Sequence, residues 1–437
     1  MRQTHPRFRS TLVLIMPSAT PVRDIRSLLT RPFLSLLTYR LGVVLCYQIT
    51  SVVVGWQIYQ ITGSELALGL IGLAEVIPYF TSALFAGYAV DHYSRRFLGS
   101  LACILLAVMS FTLWWVSSDF GVAWITQYGA WPIYAAIALS GFARAFLSPV
   151  YNTLLVRLFE REDYARATGI GSSVFQFAQI VGPAIGGGLL AVGHLTWAYG
   201  ATLMCATAAL IGLLGVPKHA TDAPNAQSKQ SVALIFSGIA QGLRFVFSHP
   251  ILLAALALDM FAVLFGGAMA LLPAFVKNVL HSGPETLGLL RAAPACGAIL
   301  MGLYLARHPI NRNAGRILLS AVAGFGVAMI VFALSKSLWL SVGALFTSGV
   351  FDSVSVVLRS TILQLTTPDE MRGRVSAING IFIGSSNELG AFESGVAARF
   401  MGLVPSVVFG GVMTLLIVAV VARAVPRLRR LHIHELV

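Results

Sequence analysis

The chain has 437 residues, of which 57% are hydrophobic and only 11% charged, with a mean hydropathy of +0.80. A soluble domain carries about 25% charged residues, so water is excluded as the main solvent. The net charge of +13 invites a nucleic acid, but the basic residues lie between and beyond apolar runs, not in one patch interleaved with aromatics, which argues against that partner.

The first twenty residues offer Arg2, Arg7 and Arg9, then a short apolar stretch at 12–16 with no small-residue cleavage site, a poor signal peptide. Met16 is as acceptable a start as Met1. Residues 1–31 are expected to form a tail. Crossing the hydrocarbon takes about 20 mostly apolar residues, which predicts spans at 33–59, 66–90, 97–117, 133–155, 168–192 and 196–216. A polar stretch follows at 217–231. Residues 232–247 alternate apolar and small polar residues at helical spacing, as in an amphipathic helix along the membrane surface or an extension of the next span. Six further spans are predicted at 251–276, 286–306, 316–335, 338–363, 375–398 and 404–425. The expected fold is an all-α membrane protein of twelve transmembrane helices in two pseudo-symmetric six-helix bundles. Its divisions are a bundle at 32–216, a linker at 217–249, a second bundle at 250–425 and a tail at 426–437.

Lys and Arg are retained on the cytoplasmic side. Arg95 and Arg96, Arg157, Arg161 and Arg166, Lys218, Lys229 and Arg244, Arg307 and Arg312, and Arg372 and Arg374 all fall in even-numbered turns. Odd-numbered turns carry little beyond Lys277, Lys336 and Arg399. Both tails are basic, so both termini are expected in the cytoplasm. Cys46, Cys103, Cys205 and Cys296 sit in apolar runs without a C-x-x-C or nearby histidines, which points to core residues and to neither a disulfide framework nor a metal site.

A weak repeat crosses the linker. Leu68-Gly69-Leu70 matches Leu287-Gly288-Leu289, Arg166-Ala167-Thr168 matches Arg374-Val375-Ser376, and Gly182 matches Gly390, as expected of parallel repeats about the membrane normal.

Between the second and third spans the chain reads Gly87-Tyr88-Ala89-Val90-Asp91-His92-Tyr93-Ser94-Arg95-Arg96. A glycine allows close helix approach, an acid at the membrane edge can face a helix N-terminus, and the arginines can meet acids or lipid phosphate. The stretch resembles the signature loop G-x-x-x-D-R-x-G-R-R of the major facilitator superfamily, with His92 and Ser94 departing from it. Gly182-Pro183-Ala184-Ile185-Gly186-Gly187 resembles the G-P-x-x-G-G motif of its exporting antiporters, with Gly169 at the upstream glycine position and Ala178 where a glycine is expected. Pro183 removes a helix hydrogen bond and the glycines permit bending and close packing. Trp56-Gln57-Ile58-Tyr59-Gln60-Ile61-Thr62-Gly63-Ser64, residues 238–259 and Leu271-Leu272-Pro273 are similar to the enterobactin-exporter and macrolide-efflux branch. That resemblance implies alternating access and outward transport of a siderophore or amphiphilic drug across the inner membrane of a bacterial cell. It implies proton motive force as the driving force, with no cofactor, and gating roles for Gly87, Asp91, Arg95, Arg96, Gly182, Pro183, Gly186 and Gly187.

An ionisable residue at bilayer depth costs about 2.5–3.5 kcal/mol on insertion scales, so each must face a cavity or a partner. The candidates for substrate binding or proton coupling are Arg40, Glu75, Arg144, Asp259, Asp352 and Glu388, with Glu393 beside them. The repeat register carries Arg40 onto Asp259 and Arg144 onto Asp352, which predicts a basic wall facing an acidic wall across a central cavity. For Asp259 and Asp352 a structural ion pair competes with proton coupling. Glu75 is open between a carboxylate for a cationic drug, a proton site and a place near the outer surface, and Glu388 and Glu393 are expected to face outer water. Asp91 and Arg95 are expected to gate near Asp369, Glu370 and Arg372. Gln48, Phe175, Gln176, Phe177 and Gln179 suit an amphiphilic pocket or helix-to-helix hydrogen bonds.

No catalytic pair or nucleotide-binding loop recurs at usable spacing, so an enzyme is not expected. The expected partners are a small molecule, protons and the lipid bilayer, with the chain acting as a monomer. An importer or lysolipid flippase of the same fold, and a membrane receptor without transport, are the competing readings.

Overall fold

The computed structural model describes residues 28–217, 232–310 and 312–433; Met16 and the linker residues 218–231 lie outside them. Twelve long helices follow in chain order. They are α1 (Arg31–Thr62), α2 (Glu65–His92), α3 (Arg95–Val116), α4 (Trp131–Leu158), α5 (Arg161–Ala191) and α6 (Leu195–Leu214). Then come α7 (Pro250–Phe265), α8 (Pro284–Arg307), α9 (Ala314–Leu334), α10 (Leu338–Thr366), α11 (Asp369–Met401) and α12 (Leu403–Ala424). Local chemistry sets their ends. The Ser64 and Ser94 hydroxyls cap α2 and α3 by accepting from Ala67 and Phe97 N–H, satisfying donors a helix start leaves free. Gly63, at φ +59°, closes α1, a left-handed conformation that costs glycine little.

Three departures from the expected spans have local causes. α7 stops at Phe265, passes through a 3-10 turn at Gly267–Leu271 and resumes as Leu272–Asn278. The Gly266-Gly267 pair and Pro273 weaken a continuous helix there. A short helix at Val122–Tyr128 fills the turn between α3 and α4. The segment Val232–Ser248 forms a separate helix, because His249 is extended and Pro250 opens α7, the position where proline is best tolerated.

Eleven of the twelve helices are apolar and long enough to cross a membrane, counting α7 with its continuation. α11 is long enough, at 33 residues, but carries Asp369, Glu370, Arg372, Arg374, Glu388, Glu393 and Arg399. It runs between the two halves, packed against α2 and α7, so polar residues on it need not meet lipid.

The packing repeats with a shift of six. α1 lies on α5 and α6 as α7 lies on α11 and α12; α2 lies on α4 as α8 lies on α10; α3 lies on α4 and α6 as α9 lies on α10 and α12. The halves join through α2 against α11 and α5 against α8, which the same shift interchanges. Lipid replaces water around the assembly. On α3, Leu98, Ala102, Leu106, Met109 and Leu113 are buried, while Leu101, Ile104, Val108 and Phe111 are exposed on the opposite face. Both faces are apolar, as they must be where the surrounding solvent is hydrocarbon. The chain is a multi-pass membrane protein.

The larger apolar core fills the first half and continues into Leu271, Phe275 and Leu287 of the second; a smaller one, around Leu258, Leu318 and Leu358, stays within the second half. Among the described residues, therefore, the halves share a core only at the end opposite the Arg95 turn.

Candidate functional site

Two glycine crossings close that far end. A Cβ at Gly69 of α2 would lie 3.0 Å from Gly395 Cα of α11, and one at Gly187 of α5 would lie 2.7 Å from Gly288 Cα of α8. The repeat register carries Gly69 onto Gly288 and Gly187 onto Gly395, so the two crossings are one contact made twice. Gly182 and Gly186 turn to a third helix, packing on Gln48 and on Ile49 and Val52 of α1. The Gly-Pro motif thus seats α5 between α1 and the opposite half. At the Arg95 end, Cβ atoms built on Gly169 of α5 and on Gly373 and Gly380 of α11 would meet nothing within 4 Å. Among the described residues the halves close on each other at the far end, and no glycine crossing joins them at the Arg95 end.

Midway along the bundle, next to this closure, lies a buried ion cluster. Arg144 of α4 directs one guanidinium nitrogen to Glu75 Oε1 at 2.6 Å, Glu388 Oε1 at 2.7 Å and the Tyr47 hydroxyl oxygen at 2.6 Å. The Glu75 and Glu388 side chains are 6% and 12% exposed, so water does not replace these partners. Rings of Tyr47 and Tyr79 stand 5.1 and 4.9 Å from the guanidinium carbon, within the range of cation–π attraction. Glycine again sets the approach: Gly141 of α4 abuts the Glu75 carbonyl, and Gly72 of α2 abuts the Glu388 carbonyl. Glu75 and Arg144 belong to the first half and Glu388 to the second, so one guanidinium ties the halves together.

One helical turn further along α1, Ser51 accepts from Arg291 of α8, whose second nitrogen reaches Met269 O at 3.4 Å. Beyond it Gly55 packs on Pro273, and the Asn278 amide donates to the Tyr59 hydroxyl at 2.5 Å. Gln48 bonds Gln179 of α5, the helix-to-helix reading of those glutamines.

The expected opposition of basic and acidic walls is not formed. Arg144 does not face Asp352 but meets Glu75 and Glu388, and Arg40 does not face Asp259. Asp259 of α7 pairs inside its own half with Arg359 of α10, both nearly fully buried. Asp352 and Ser355 line a small cavity with Asp259 and Phe325, between α7, α9 and α10. The register related the positions correctly, but matched positions need not touch. Glu388 likewise does not face outer water; α11 turns it inward to Arg144. Glu393, five residues on, is half-buried.

Three residues of these buried networks escaped sequence reading: Tyr47, Arg291 and Arg359. The two arginines lie inside predicted spans 286–306 and 338–363, and the cost of charge in hydrocarbon was signal enough to find them. Tyr47 gives no such signal, because tyrosine is common in membrane helices.

Of the gating candidates, Gly87 and Asp91 fall in the last turns of α2, and their side chains lie outside the described residues. Arg95 is buried in the first turn of α3. Arg96 donates to Leu214 O at 2.9 Å and Val216 O at 3.5 Å, a cation at the carbonyl end of α6. Arg374 of α11 donates to Gln241 at 2.7 Å and so holds the Val232–Ser248 helix against α11.

Comparison with known proteins agrees with this architecture. The family model described as Major Facilitator Superfamily matches residues 36–391. The multidrug efflux pump Tap of Mycolicibacterium fortuitum is 28% identical over 395 residues, covering 88% of this chain and 93% of that protein. The enterobactin exporter EntS of Citrobacter koseri is 26% identical over 373 residues, covering 83% and 86%. Among solved structures, a POT family transporter in complex with 5-aminolevulinic acid superposes with a TM-score of 0.71 at 10% identity, over 91% of this chain and 96% of the other. A D-xylose-proton symporter gives 0.69 at 13% identity, over 92% and 99%. At such identities the structures speak for the fold alone.

Proposed function

This chain belongs to the Major Facilitator Superfamily, and we propose that it is a secondary carrier that moves a small organic molecule out of a bacterial cell in exchange for protons. Outward direction and a siderophore or amphiphilic-drug cargo are supported by the efflux pump and the siderophore exporter among its relatives. The observation that carries the mechanism is the Arg144 guanidinium divided between Glu75 of its own half and Glu388 of the other.

The cycle follows from charge. With both acids ionised, Arg144 and Arg291 balance Glu75 and Glu388, and the far end is closed. When the halves rock so that the far end opens, Glu388 leaves Arg144 behind, and a carboxylate parted from its counter-charge in a low-dielectric site favours a proton from the outer water. On closure Arg144 competes with that proton for Glu388 and displaces it toward the open, Arg95 end. Inward proton movement is thereby tied to the return step and cargo export to the forward step, as alternating access requires. In this reading the Arg95 end and both termini are cytoplasmic, the membrane is the bacterial inner membrane, and the carrier works as a monomer.

The test uses the purified chain in proteoliposomes with an imposed proton gradient, screening catechol siderophores, macrolides and lysolipids. Cargo should move against the direction of proton flow, and Glu388→Gln should uncouple the two. Transport indifferent to the gradient would sink the exchange mechanism. Cargo moving only with the protons would favour an importer, and movement of lysolipid alone a flippase.

A further inference from the structure

Four of the described helices carry arginines at membrane depth, and three of these arginines donate to carboxylate, hydroxyl or carbonyl oxygens of another helix at hydrogen-bond distance. Arg144 meets two carboxylates, Arg359 meets Asp259, and Arg291 meets Ser51 and a backbone carbonyl. Arg40 of α1 differs. Its guanidinium carbon lies 4.0 Å from the centre of the Tyr151 ring of α4 and 5.2 Å from that of Phe175 of α5. Among the described residues it forms no ion pair, the only oxygen interacting with it is the neutral Tyr151 hydroxyl, and its Nε is buried without a hydrogen-bond partner.

Its place along α1 matters as much as its partners. Arg40, Tyr47, Ser51 and Gly55 recur every seven or four residues and so share one face of the helix. Tyr47, Ser51 and Gly55 each reach a residue of the opposite half. Arg40 instead stacks on rings of α4 and α5 in its own half and stands seven residues nearer the start of α1 than Tyr47, so it lies on the Arg95 side of the ion cluster, where cargo from that end arrives first.

We propose that Arg40, with Tyr151 and Phe175, is a recognition subsite for a planar organic anion, holding its carboxylate or phenolate group. This rests on the exporter reading only for naming the anion as cargo. A cation at membrane depth calls for a counter-charge, and rings against the guanidinium supply none. They leave its in-plane N–H groups free to fork onto two oxygens of an anion, and they offer faces on which a flat ligand can stack. Tyr151 O–H can donate to the same group, being held toward α5 by contact with Gly171, whose missing side chain makes room for it. The repeat relates Arg40 to Asp259, which is neutralised by Arg359, so the second half offers no matching site. The preference is therefore one-sided: anions over neutral or cationic analogues of the same shape.

The test measures equilibrium binding of salicylate, its neutral analogue salicylamide and the benzylammonium cation to the full chain in phosphatidylcholine nanodiscs. Salicylate should bind at least about tenfold tighter than the other two, the scale of a charge-assisted hydrogen bond. Arg40→Gln should remove the preference, and Arg40→Lys should keep part of it. Should Arg40→Gln lower the melting temperature so far that it does not fold, Phe175→Leu, which keeps the charge and loses a stacking face, should weaken salicylate and salicylamide alike. Equal binding of salicylate and salicylamide by the native chain overturns the proposal, as does an Arg40→Gln variant with native affinity for salicylate. Loss of salicylate binding when phosphatidylglycerol replaces phosphatidylcholine also overturns it, in favour of a lipid headgroup. The two readings fail separately: proteoliposomes that export nothing sink the exporter while this binding stands, and active export with no anion preference sinks only the subsite.

Discussion

Gly187→Ala should weaken closure of the far end, whereas Gly188→Ala, one residue along the same helix, should not. A Cβ on Gly187 would lie 2.7 Å from Gly288 Cα, 2.8 Å from Pro284 O and 2.9 Å from Gly288 N, all backbone atoms that cannot swing aside. At Gly188 it would meet nothing within 4 Å. Both substitutions gain the same helix propensity, about 0.5–1 kcal/mol, so their difference isolates the contact. Overpacking of this kind costs about 1–3 kcal/mol. At roughly tenfold per 1.4 kcal/mol, the ratio of closed to open far ends should fall about 5- to 150-fold. Spin labels at Val192, beyond the end of α5, and Glu285, in the first turn of α8, report that separation in a variant whose four cysteines are replaced. Gly187→Ala should move the distance distribution outward and Gly188→Ala should leave it native. If both variants give the native distribution, the glycine crossing is not what lets the halves close.

Arg359→Gln leaves Asp259 buried without its counter-charge and should destabilise the chain by about 3–5 kcal/mol, read as a lower melting temperature in detergent. The double variant Asp259→Asn with Arg359→Gln should recover most of that loss; no recovery would mean that the pair does not act as a unit. Gln57 donates to Ser117 at 2.8 Å and accepts from Tyr199 at 2.5 Å, so Gln57→Leu should cost about 1–3 kcal/mol by leaving the buried Tyr199 hydroxyl unsatisfied. An unchanged melting temperature would remove that network from the account of how α1 holds α3 and α6. Glu388→Gln should lower the occupancy of the closed far end in the spin-label measurement, by about 1.5–3 kcal/mol for the loss of a hydrogen bond to a charged group. Retention of the native distance distribution would deny the Arg144 tie between the halves.

Much of the fold was legible because its signals are local. Apolar length marked eleven spans outright. α11 was found despite its charges, because the apolar residues between them still add up to a helix of the right length. The weak match of Leu68-Gly69-Leu70 to Leu287-Gly288-Leu289 located residues that the structure sets at equivalent inter-half crossings. The Gly-Pro motif pointed to close packing, and Gly182, Gly186 and Gly187 are where α5 packs against α1 and the opposite half. The site was legible only as an inventory. Glu75, Arg144 and Glu388 stood out because charge is expensive in lipid, but their pairing did not: the repeat register joined Arg144 to Asp352, and Glu388 was placed in outer water.

The sequence by itself determined that this chain is solvated by lipid, how many times it crosses, and that it is two related halves, since each follows from the composition of a contiguous segment. Only the tertiary structure decided which charges meet. A pairing depends on how each helix is rotated about its axis, and in a soluble helix an apolar stripe reveals that rotation. Here lipid is as apolar as the core, so Leu98 facing inward and Leu101 facing outward look alike in sequence, and the turn that brings Glu388 to Arg144 leaves no periodic trace.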